Sequence, residues 1–472
     1  MAADFFRITL AQLNPTAGDI AGNAAKAREA RARAAADGAD LVVLPELFLA
    51  GHPSRDPVLK PAFQAACRAA IEALARETAD GGPAVLIGTP WTEDGKLYNA
   101  CVLLDAGRIA ATRFKANLAD GDQKRVFTRG PAAGPLSVRG VRIGVAIGED
   151  ISLEDSSNYE NVVETLAETG AELIVVPSRS CYVRSGGDRR LSAAVARVTE
   201  SDLPLVWLNQ VGGQDGEVFD GASFALNFDL SVAAQLPGFV AEVATLAWSR
   251  GDDGWQCRGP VTTLIEGDEA DYAARVLGLR DHVGKGGFTG IVLGLTGAIE
   301  SALAAALAVD ALGSGKVRGV MLSGPGTSQA SLDQAMAVAA RLGFAAERVP
   351  IAAAVEGFER ALPGPLAGSA RHQLLARVRA TLLMALASLS GALAVVVGAT
   401  AEIGDVAGGF APLEGIGPAQ LRRLAALRNR WRFADALGPS GEVISPALIT
   451  SPLEARDDRA LADRASSDAF EG

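Results

Sequence analysis

The sequence predicts an α/β protein of two layered domains. Three observations carry that prediction. The chain has 472 residues, and at roughly 100–200 residues per domain this length calls for two domains or three. Apolar residues make up 49% of it and aromatics only 5%, alongside 53 glycines and 22 prolines. The core must then be built from Ala, Val, Leu and Ile, as in closely packed helix–strand layers. Finally, short apolar segments alternate with longer helical patterns along almost the whole chain.

The elements follow in order. Residues 7–13 read as a strand, and 22–36, rich in Ala and Arg, as a helix. Residues 39–45 form a short apolar strand closed by Pro45-Glu46. A helix is expected over 61–78, then strands near 84–88, 98–104 and 109–113, and a buried strand over 141–147. Helix 159–168, strand 172–176, helix 190–200, strand 203–209 and a hairpin over 223–236 complete a domain spanning 1–250. Residues 250–258 (Arg-Gly-Asp-Asp-Gly-Trp-Gln-Cys-Arg) are polar and Gly-rich, so a linker is placed over 251–266. A second domain is expected over 267–450. It begins with helix 269–285 and continues as strand 290–295, helix 298–312, strand 317–322, helix 331–342, strand 347–351, helix 370–389 and strand 392–398. Short crossovers between apolar strands require a parallel sheet with right-handed connections. Residues 380–401 carry no charge and are long enough to cross a bilayer. Ser388, Ser390 and Gly391 interrupt them, so a buried helix, a turn and a buried strand are expected there. The charged segment 451–472 reads as a loose tail.

Composition excludes several functions. With 55 acidic and 44 basic residues, net −11, the chain lacks the basic footprint that nucleic acid or an anionic membrane requires. Cys67, Cys101, Cys181 and Cys257 have no CxxC spacing, which argues against a disulfide framework or a zinc site and for a reducing cytoplasm. Three histidines without HxxxH spacing argue against a His-rich metal centre. Residues 1–7 lack the pattern of a signal peptide.

Three places can carry chemistry. Glu46 ends a buried strand, where α/β sheets put reactive groups; on residue type alone, a Glu ending a strand in water is the commoner case. Lys115 ends another strand, where a lone Lys is usually surface. The strand 141–147 leads into Gly148-Glu149-Asp150.

Together these are similar to the Glu–Lys–Cys pattern of the nitrilase, or carbon–nitrogen hydrolase, superfamily. More narrowly, the chain resembles the bacterial glutamine-dependent NAD+ synthetases over nearly its full length. The first half carries Ala11-Gln-Leu-Asn-Pro-Thr-Ala-Gly-Asp19, Lys60-Pro-Ala-Phe-Gln64, Gly95-Lys-Leu-Tyr-Asn99, Leu208-Asn-Gln-Val-Gly-Gly-Gln-Asp215 and Phe219-Asp-Gly-Ala-Ser-Phe224. The second carries Gly278-Leu-Arg-Asp281, Leu293-Gly-Leu-Thr-Gly-Ala-Ile-Glu-Ser301, Thr327-Ser-Gln-Ala-Ser-Leu332 and Gly408-Gly-Phe-Ala-Pro412. The resemblance implies a nitrilase-like α-β-β-α sandwich followed by a Rossmann-like parallel α/β synthetase domain. It implies glutamine, ATP, deamido-NAD and Mg2+ as ligands. In that family a Cys thiolate attacks the glutamine amide, with Glu46 as general base and Lys115 stabilising the oxyanion. Ammonia then passes inside the protein to the second domain and converts adenylated deamido-NAD to NAD. Gly294, Thr296, Gly297, Ala298, Ser301, Thr327 and Ser328 match nucleotide-binding positions, and Glu300 and Glu402 match metal-holding ones. The family also implies a homo-oligomer built through the first domain; a non-catalytic paralogue could instead form a hetero-oligomer with an active one.

Departures from the pattern fall on the chemistry. The nucleophile position is Gly148, and a glycine forms no thioester. Cys181 is the nearest substitute to consider, and a small unreactive thiol is the commoner reading of it. The phosphate loop reads Thr296-Gly-Ala-Ile-Glu-Ser301 where the family has Ser-Gly-Gly-x-Asp-Ser, so Ala298 brings a methyl where backbone should approach phosphate. Gly398-Ala-Thr-Ala-Glu402 lacks the family's Lys, Arg371-His-Gln373 replaces Glu-Glu-Asn, Gly326 replaces Tyr, and the C-terminal Pro-Pro-Tyr has no counterpart. The expected protein is a catalytically impaired paralogue with a structural or regulatory role. The alternative is an ammonia-dependent synthetase with a dead glutaminase half, Glu300, Glu402 and Asp405 holding Mg2+. A third reading has Gly148 opening a cavity for another ligand beside Glu46 and Lys115.

Overall fold

The computed structural model describes residues 4–51, 55–118, 121–152, 160–324, 327–364, 368–395, 397 and 409–451. By its contacts the chain divides into two compact units, Met1–Gly286 and Gly287–Gly472.

The strands of the first unit, in chain order, are β1 (Phe5–Gln12), β2 (Leu41–Val43), β3 (Ala84–Glu93), β4 (Lys96–Asp105), β5 (Arg108–Phe114), β6 (Leu136–Val138), β7 (Val141–Val145), β8 (Leu173–Ser178), β9 (Leu205–Asn209), β10 (Val211–Gln214), β11 (Glu217–Asp220), β12 (Phe224–Leu226), β13 (Val232–Gln235), β14 (Glu242–Gly251) and β15 (Gly254–Arg258). One sheet runs β15-β14-β1-β2-β3-β4-β5 and the other β13-β12-β9-β8-β7-β6, while β10 and β11 pair as a hairpin of their own. Strand alternation makes the layers. Ile8, Leu10, Leu41 and Val43 from the first sheet meet Ile143, Val145, Leu173 and Val175 from the second in a core between the sheets. Val42 and Leu44 point the other way, onto Ala24, Ala27, Ala30, Cys67 and Ile71 of helices Ile20–Ala36 and Pro61–Glu77. Ile174 and Val176 likewise meet Val162, Leu166, Ala194 and Val198 of helices Val162–Glu168 and Gly186–Ser201. The result is the α-β-β-α sandwich the sequence predicts. Alanine on the helix faces allows close approach to the sheets, and each fully buried Leu, Ile or Val contributes about 1.5–3 kcal/mol.

One expectation is corrected here. Residues 250–258 are not a free linker. β14 and β15 pair antiparallel across the Asp252-Asp253-Gly254 turn, from Ala247 opposite Arg258 to Gly251 opposite Gly254. Trp255 and Cys257 alternate inward and join the core between the sheets. The polar, Gly-rich composition belongs to the turn and to the solvent-facing half of a period-2 pattern.

Helix Gly267–Lys285 lies within the first unit. Asp281 Oδ2 accepts from Asn14 Nδ2 at 2.7 Å and from the Gly213 N–H at 2.6 Å. Lys285 Nζ donates to Asn14 Oδ1 at 2.6 Å and to the carbonyls of Pro15 and Gly213. At the other end of the helix, Asp271 accepts from Tyr182 Oη at 2.7 Å and from Arg184 Nε at 3.0 Å.

In the second unit, β16 (Ile291–Gly294), β17 (Val317–Ser323), β18 (Ala345–Pro350), β19 (Leu393–Val395) and β20 (Gly409–Phe410) form one sheet in the order β18-β17-β16-β19-β20. All four pairings are parallel, as the short crossovers require. Helix Ile299–Leu312, between β16 and β17, is buried on nearly every side. Its Asp310 makes a fully buried bidentate pair with Arg428, at 2.6 and 2.8 Å, on helix Pro418–Arg430. That helix and helix Ala352–Ala361 escape the sequence reading. The uncharged run beginning at residue 380 falls on helix Gly368–Ser390, a turn and β19. Among the described residues no helix is long and apolar enough to cross a membrane.

Candidate active site

Glu46, Lys115 and Gly148 converge in the first unit, at the rim of the core between the sheets. Glu46 follows β2 in a turn whose next residue, Leu47, has φ +52°. Gly88 of β3 makes room for that turn, since a Cβ there would lie 2.3 Å from the Pro45 carbonyl oxygen and 2.4 Å from the Leu47 nitrogen. Lys115 follows β5, and its N–H donates to the Asn99 carbonyl at 2.8 Å. Both side chains are buried, Lys115 at 0% exposure and Glu46 at 2%. Lys115 Nζ donates to Glu46 Oε1 at 2.7 Å, and Asn99 Nδ2 donates to the same oxygen at 2.6 Å. Lys115 Nζ also donates to Glu149 Oε2.

Gly148 opens the turn after β7 with φ +52°, in the left-handed region that favours glycine. A Cβ built there would lie 2.5 Å from Glu46 Oε2 and 2.8 Å from Lys115 Nζ. Any side chain at 148 would therefore point straight at the carboxylate and the ammonium. The two groups close onto the bare Cα instead.

Electrostatics favour the charged forms of Lys115 and Glu149. Burial pulls the Lys115 ammonium down, but the Glu46 and Glu149 carboxylates outweigh it and hold the pKa above its ordinary value. Burial pushes Glu149 up, and Lys115 leads the interactions that bring it below the usual carboxylate range. Asp150 is fully buried and pushed up to about 7 by burial, against three N–H bonds from Ala116, Asn117 and Ile147. Asp150 ties the end of β5 to the turn at Gly148; the acidic pair 149–150 marks that turn in the sequence, but nothing there separates a surface carboxylate from a buried bracket.

None of the four cysteine thiols is shifted toward ionisation. Burial raises Cys181 to about 12, with Glu217 adding to the effect, and raises Cys67 and Cys257 to about 12. Cys101 is fully buried in the core and is pushed well above its ordinary value by burial. A reactive thiol needs the opposite shift.

In the second unit the expected nucleotide positions gather at the carboxyl ends of neighbouring strands, where α/β sheets place ligands. Gly294 ends β16, and Thr296, Gly297 and Ala298 lead into helix Ile299–Leu312. Thr327 and Ser328 follow β17, and Ser328 caps helix Gln329–Leu342 by accepting from the Ser331 N–H at 3.1 Å. The Gly297 backbone packs on Ser331. The loop's own hydroxyls occupy its N–H groups: Thr296 N donates to Ser301 Oγ at 3.2 Å and Ala298 N to Thr296 Oγ1 at 3.3 Å. Ala298 has φ −97° and ψ 164°. Glu300 is half-buried in the first turn of the helix. Among the described residues no three His, Cys, Asp or Glu side chains are grouped to hold a metal ion. Glu402, Asp405, Gly326, the 398–402 motif and the tail beyond 451 lie outside the described residues.

A carbon-nitrogen hydrolase family model matches residues 7–252, and an NAD synthase model matches residues 271–441. The glutamine-dependent NAD(+) synthetase of Rhodobacter capsulatus is 42% identical over 468 residues, covering 96% of this chain and 84% of that protein. The chain belongs to the glutamine-dependent NAD+ synthetase family. The family's protein from Xanthomonas campestris pv. campestris is 35% identical, covering 97% of this chain and 84% of that one. The structure of the Acinetobacter baumannii glutamine-dependent NAD+ synthetase, in complex with adenosine diphosphate, matches with a TM-score of 0.85 at 31% identity, over 98% of this chain and 88% of that one. The family models part between residues 252 and 271, whereas the compact units part at 286. Helix Gly267–Lys285 thus belongs to the synthetase model for most of its sequence and to the first unit by its contacts.

Proposed function

We propose that this chain is an NAD+ synthetase family protein whose glutaminase half does not hydrolyse glutamine, whose synthetase half turns over weakly or not at all, and which serves a structural or regulatory role. One observation carries the reading: Gly148 presents a bare Cα to Glu46 and Lys115. Hydrolysis of the amide by this route needs a sulfur to attack the carbonyl carbon, a carboxylate to take the thiol proton and a cation to meet the oxyanion. The resemblance assigns the second and third tasks to Glu46 and Lys115, and their 2.7 Å contact supports that reading. The first has no atom to perform it, and the other cysteine thiols are shifted away from ionisation. Lys115 is held between two carboxylates.

The nucleotide side supports the same reading. ATP and Mg2+ are the family's ligands, and the described residues fit them poorly. The loop after β16 turns its Thr296 and Ala298 N–H groups onto its own hydroxyls, where phosphate binding needs them free. Glu300 is the one expected metal-holding carboxylate among the described residues. The ammonia-dependent alternative rests on Glu300, Glu402 and Asp405 holding Mg2+, of which Glu300 is the one among the described residues. Assembly with itself or with an active paralogue is the role this reading favours.

The test uses the full chain. Incubated with glutamine, it is expected to release no ammonia. With ATP, Mg2+, deamido-NAD and ammonium, it is expected to form NAD at no more than trace levels. Ammonia release that Glu46→Ala abolishes would overturn the glutaminase half of the reading. Steady NAD formation from ammonium would establish the ammonia-dependent alternative.

A further inference from the structure

The two oxygens of the Glu46 carboxylate are not used alike. Lys115 Nζ and Asn99 Nδ2 both donate to Oε1, at 2.7 and 2.6 Å. Oε2 is the oxygen turned toward position 148, where a Cβ would lie 2.5 Å from it. The sheet order β2-β3-β4-β5 sets the strands that deliver Glu46 and Lys115 three places apart, roughly 14 Å at the usual strand spacing. Asn99 stands between them on β4, opposite Pro90 of β3, and is 1% exposed. Its carbonyl accepts the Lys115 N–H at 2.8 Å, so one residue meets the backbone of the cation and the side chain of the carboxylate.

The Asn99 amide is satisfied at one end only. An ionised carboxylate accepts and does not donate, so the amide turns its NH2 group to Glu46. Its Oδ1 is left buried with no hydrogen-bond partner among the described residues. A buried acceptor without a partner costs stability, and a leucine of similar size would fill the same space without one. What this side chain gains over an apolar one lies at its nitrogen, on Glu46.

We propose that Asn99 is a positioning residue that fixes the plane of the Glu46 carboxylate and so sets which of its oxygens faces position 148. The last torsion of a glutamate is broad and two-fold, so the carboxylate needs an outside contact to choose a plane. Lys115 cannot supply that choice alone. Its ammonium is a compact charge with three rotatable donors that can follow either oxygen, and it is shared with Glu149. The Asn99 amide is planar and sits on a strand paired on both sides, with β3 and β5, so its N–H points one way. It engages Oε1 and leaves Oε2 for position 148. The inference goes beyond the non-hydrolytic reading and does not depend on it, since it concerns the carboxylate and not the nucleophile.

Ammonia release from glutamine by the full-length Gly148→Cys chain is the first readout. Adding Asn99→Leu is expected to lower kcat about ten-fold or more and to leave KM within about two-fold. Adding Asn99→Leu to Gly148→Cys that also carries Glu46→Ala is expected to change nothing further, because a residue acting through Glu46 then has nothing to orient. Asn99→Ser, which keeps a shorter donor, is expected to fall between, and it takes the place of Asn99→Leu if that variant does not fold. The second readout needs no thiol. A crystal structure of Asn99→Leu with Gly148 in place is expected to show the Glu46 carboxylate rotated or displaced from position 148, and it decides the matter if Gly148→Cys releases no ammonia. An unchanged kcat, an equal loss with and without the Glu46 carboxylate, or a Glu46 side chain placed as in the native chain would each overturn the inference. None of these results bears on hydrolysis by the native chain, which its own ammonia release decides.

Discussion

At the scale of single residues, the proposed function turns on Gly148. Its position, and not only its identity, sets the chemistry: the missing Cβ would stand 2.5 Å from Glu46 Oε2 and 2.8 Å from Lys115 Nζ. Both obstructing atoms are the far ends of flexible side chains, so a thiol can be reinstated by small shifts. Gly148→Cys is expected to gain ammonia release from glutamine above the native background. Glu46→Ala in that variant is expected to lower the gain about 100-fold or more, the usual worth of a positioned general base. The left-handed backbone at 148 should also make the variant less stable by about 1–2 kcal/mol, readable by urea unfolding. A Gly148→Cys chain as inert as the native one would show that more than the sulfur has been lost. Glu46 and Gly148 were legible in the sequence because each ends a strand with a motif around it. The role of Asp150 was not, because the N–H bonds it accepts from Ala116 and Asn117 exist only in three dimensions.

At the scale of elements, Asp150 brackets the end of β5 to the turn that carries Gly148. Folding raises its pKa from the ordinary carboxylate value to about 7 through burial. The folded state then holds the proton more tightly than the unfolded chain. This contribution is most favourable below about pH 4 and is lost as pH rises through 7. The stability of the native chain relative to Asp150→Asn is therefore expected to fall between pH 5 and pH 8, measured as unfolding free energy in urea. A difference that stays flat or rises would mean the N–H bonds from Ala116, Asn117 and Ile147 dominate over burial. Element recognition from the sequence was otherwise strong in the parallel layers. Strands such as β2 and β16 are short apolar runs, and helices such as Pro61–Glu77 and Gln329–Leu342 carry clear periodicity. It was weak where polarity and burial separate: β15 hides Trp255 and Cys257 within a stretch whose other residues are polar or glycine.

At the scale of the whole molecule, the family models and the compact units part at different places. Helix Gly267–Lys285 carries the family's Gly278-Leu-Arg-Asp281, yet Asp281, Lys285 and Asp271 bind it to Asn14, Gly213, Tyr182 and Arg184 of the first unit. Hydrogen bonds to charged groups contribute about 1.5–3 kcal/mol each. A fragment of residues 1–286 is expected to unfold cooperatively and at a higher temperature than a fragment of 1–266, which leaves Asn14, Gly213 and Arg184 without those partners. Equal melting temperatures would place the boundary before the helix.

The sequence by itself determined the two-domain α/β architecture, the family and the absence of a thiol at 148. Hydrophobic periodicity and motif spacing are properties of neighbours along the chain, and those properties survive without coordinates. Tertiary structure alone decided three things. It showed that a side chain at 148 would face Glu46 and Lys115, that these two groups occupy the space its Cβ would take, and that Asp150 is a buried bracket between the end of β5 and that turn. Each depends on side chains 30 to 100 residues apart meeting at a few ångströms in a region shut off from water. There, burial and pairing set charge and reach, and residue type alone does not.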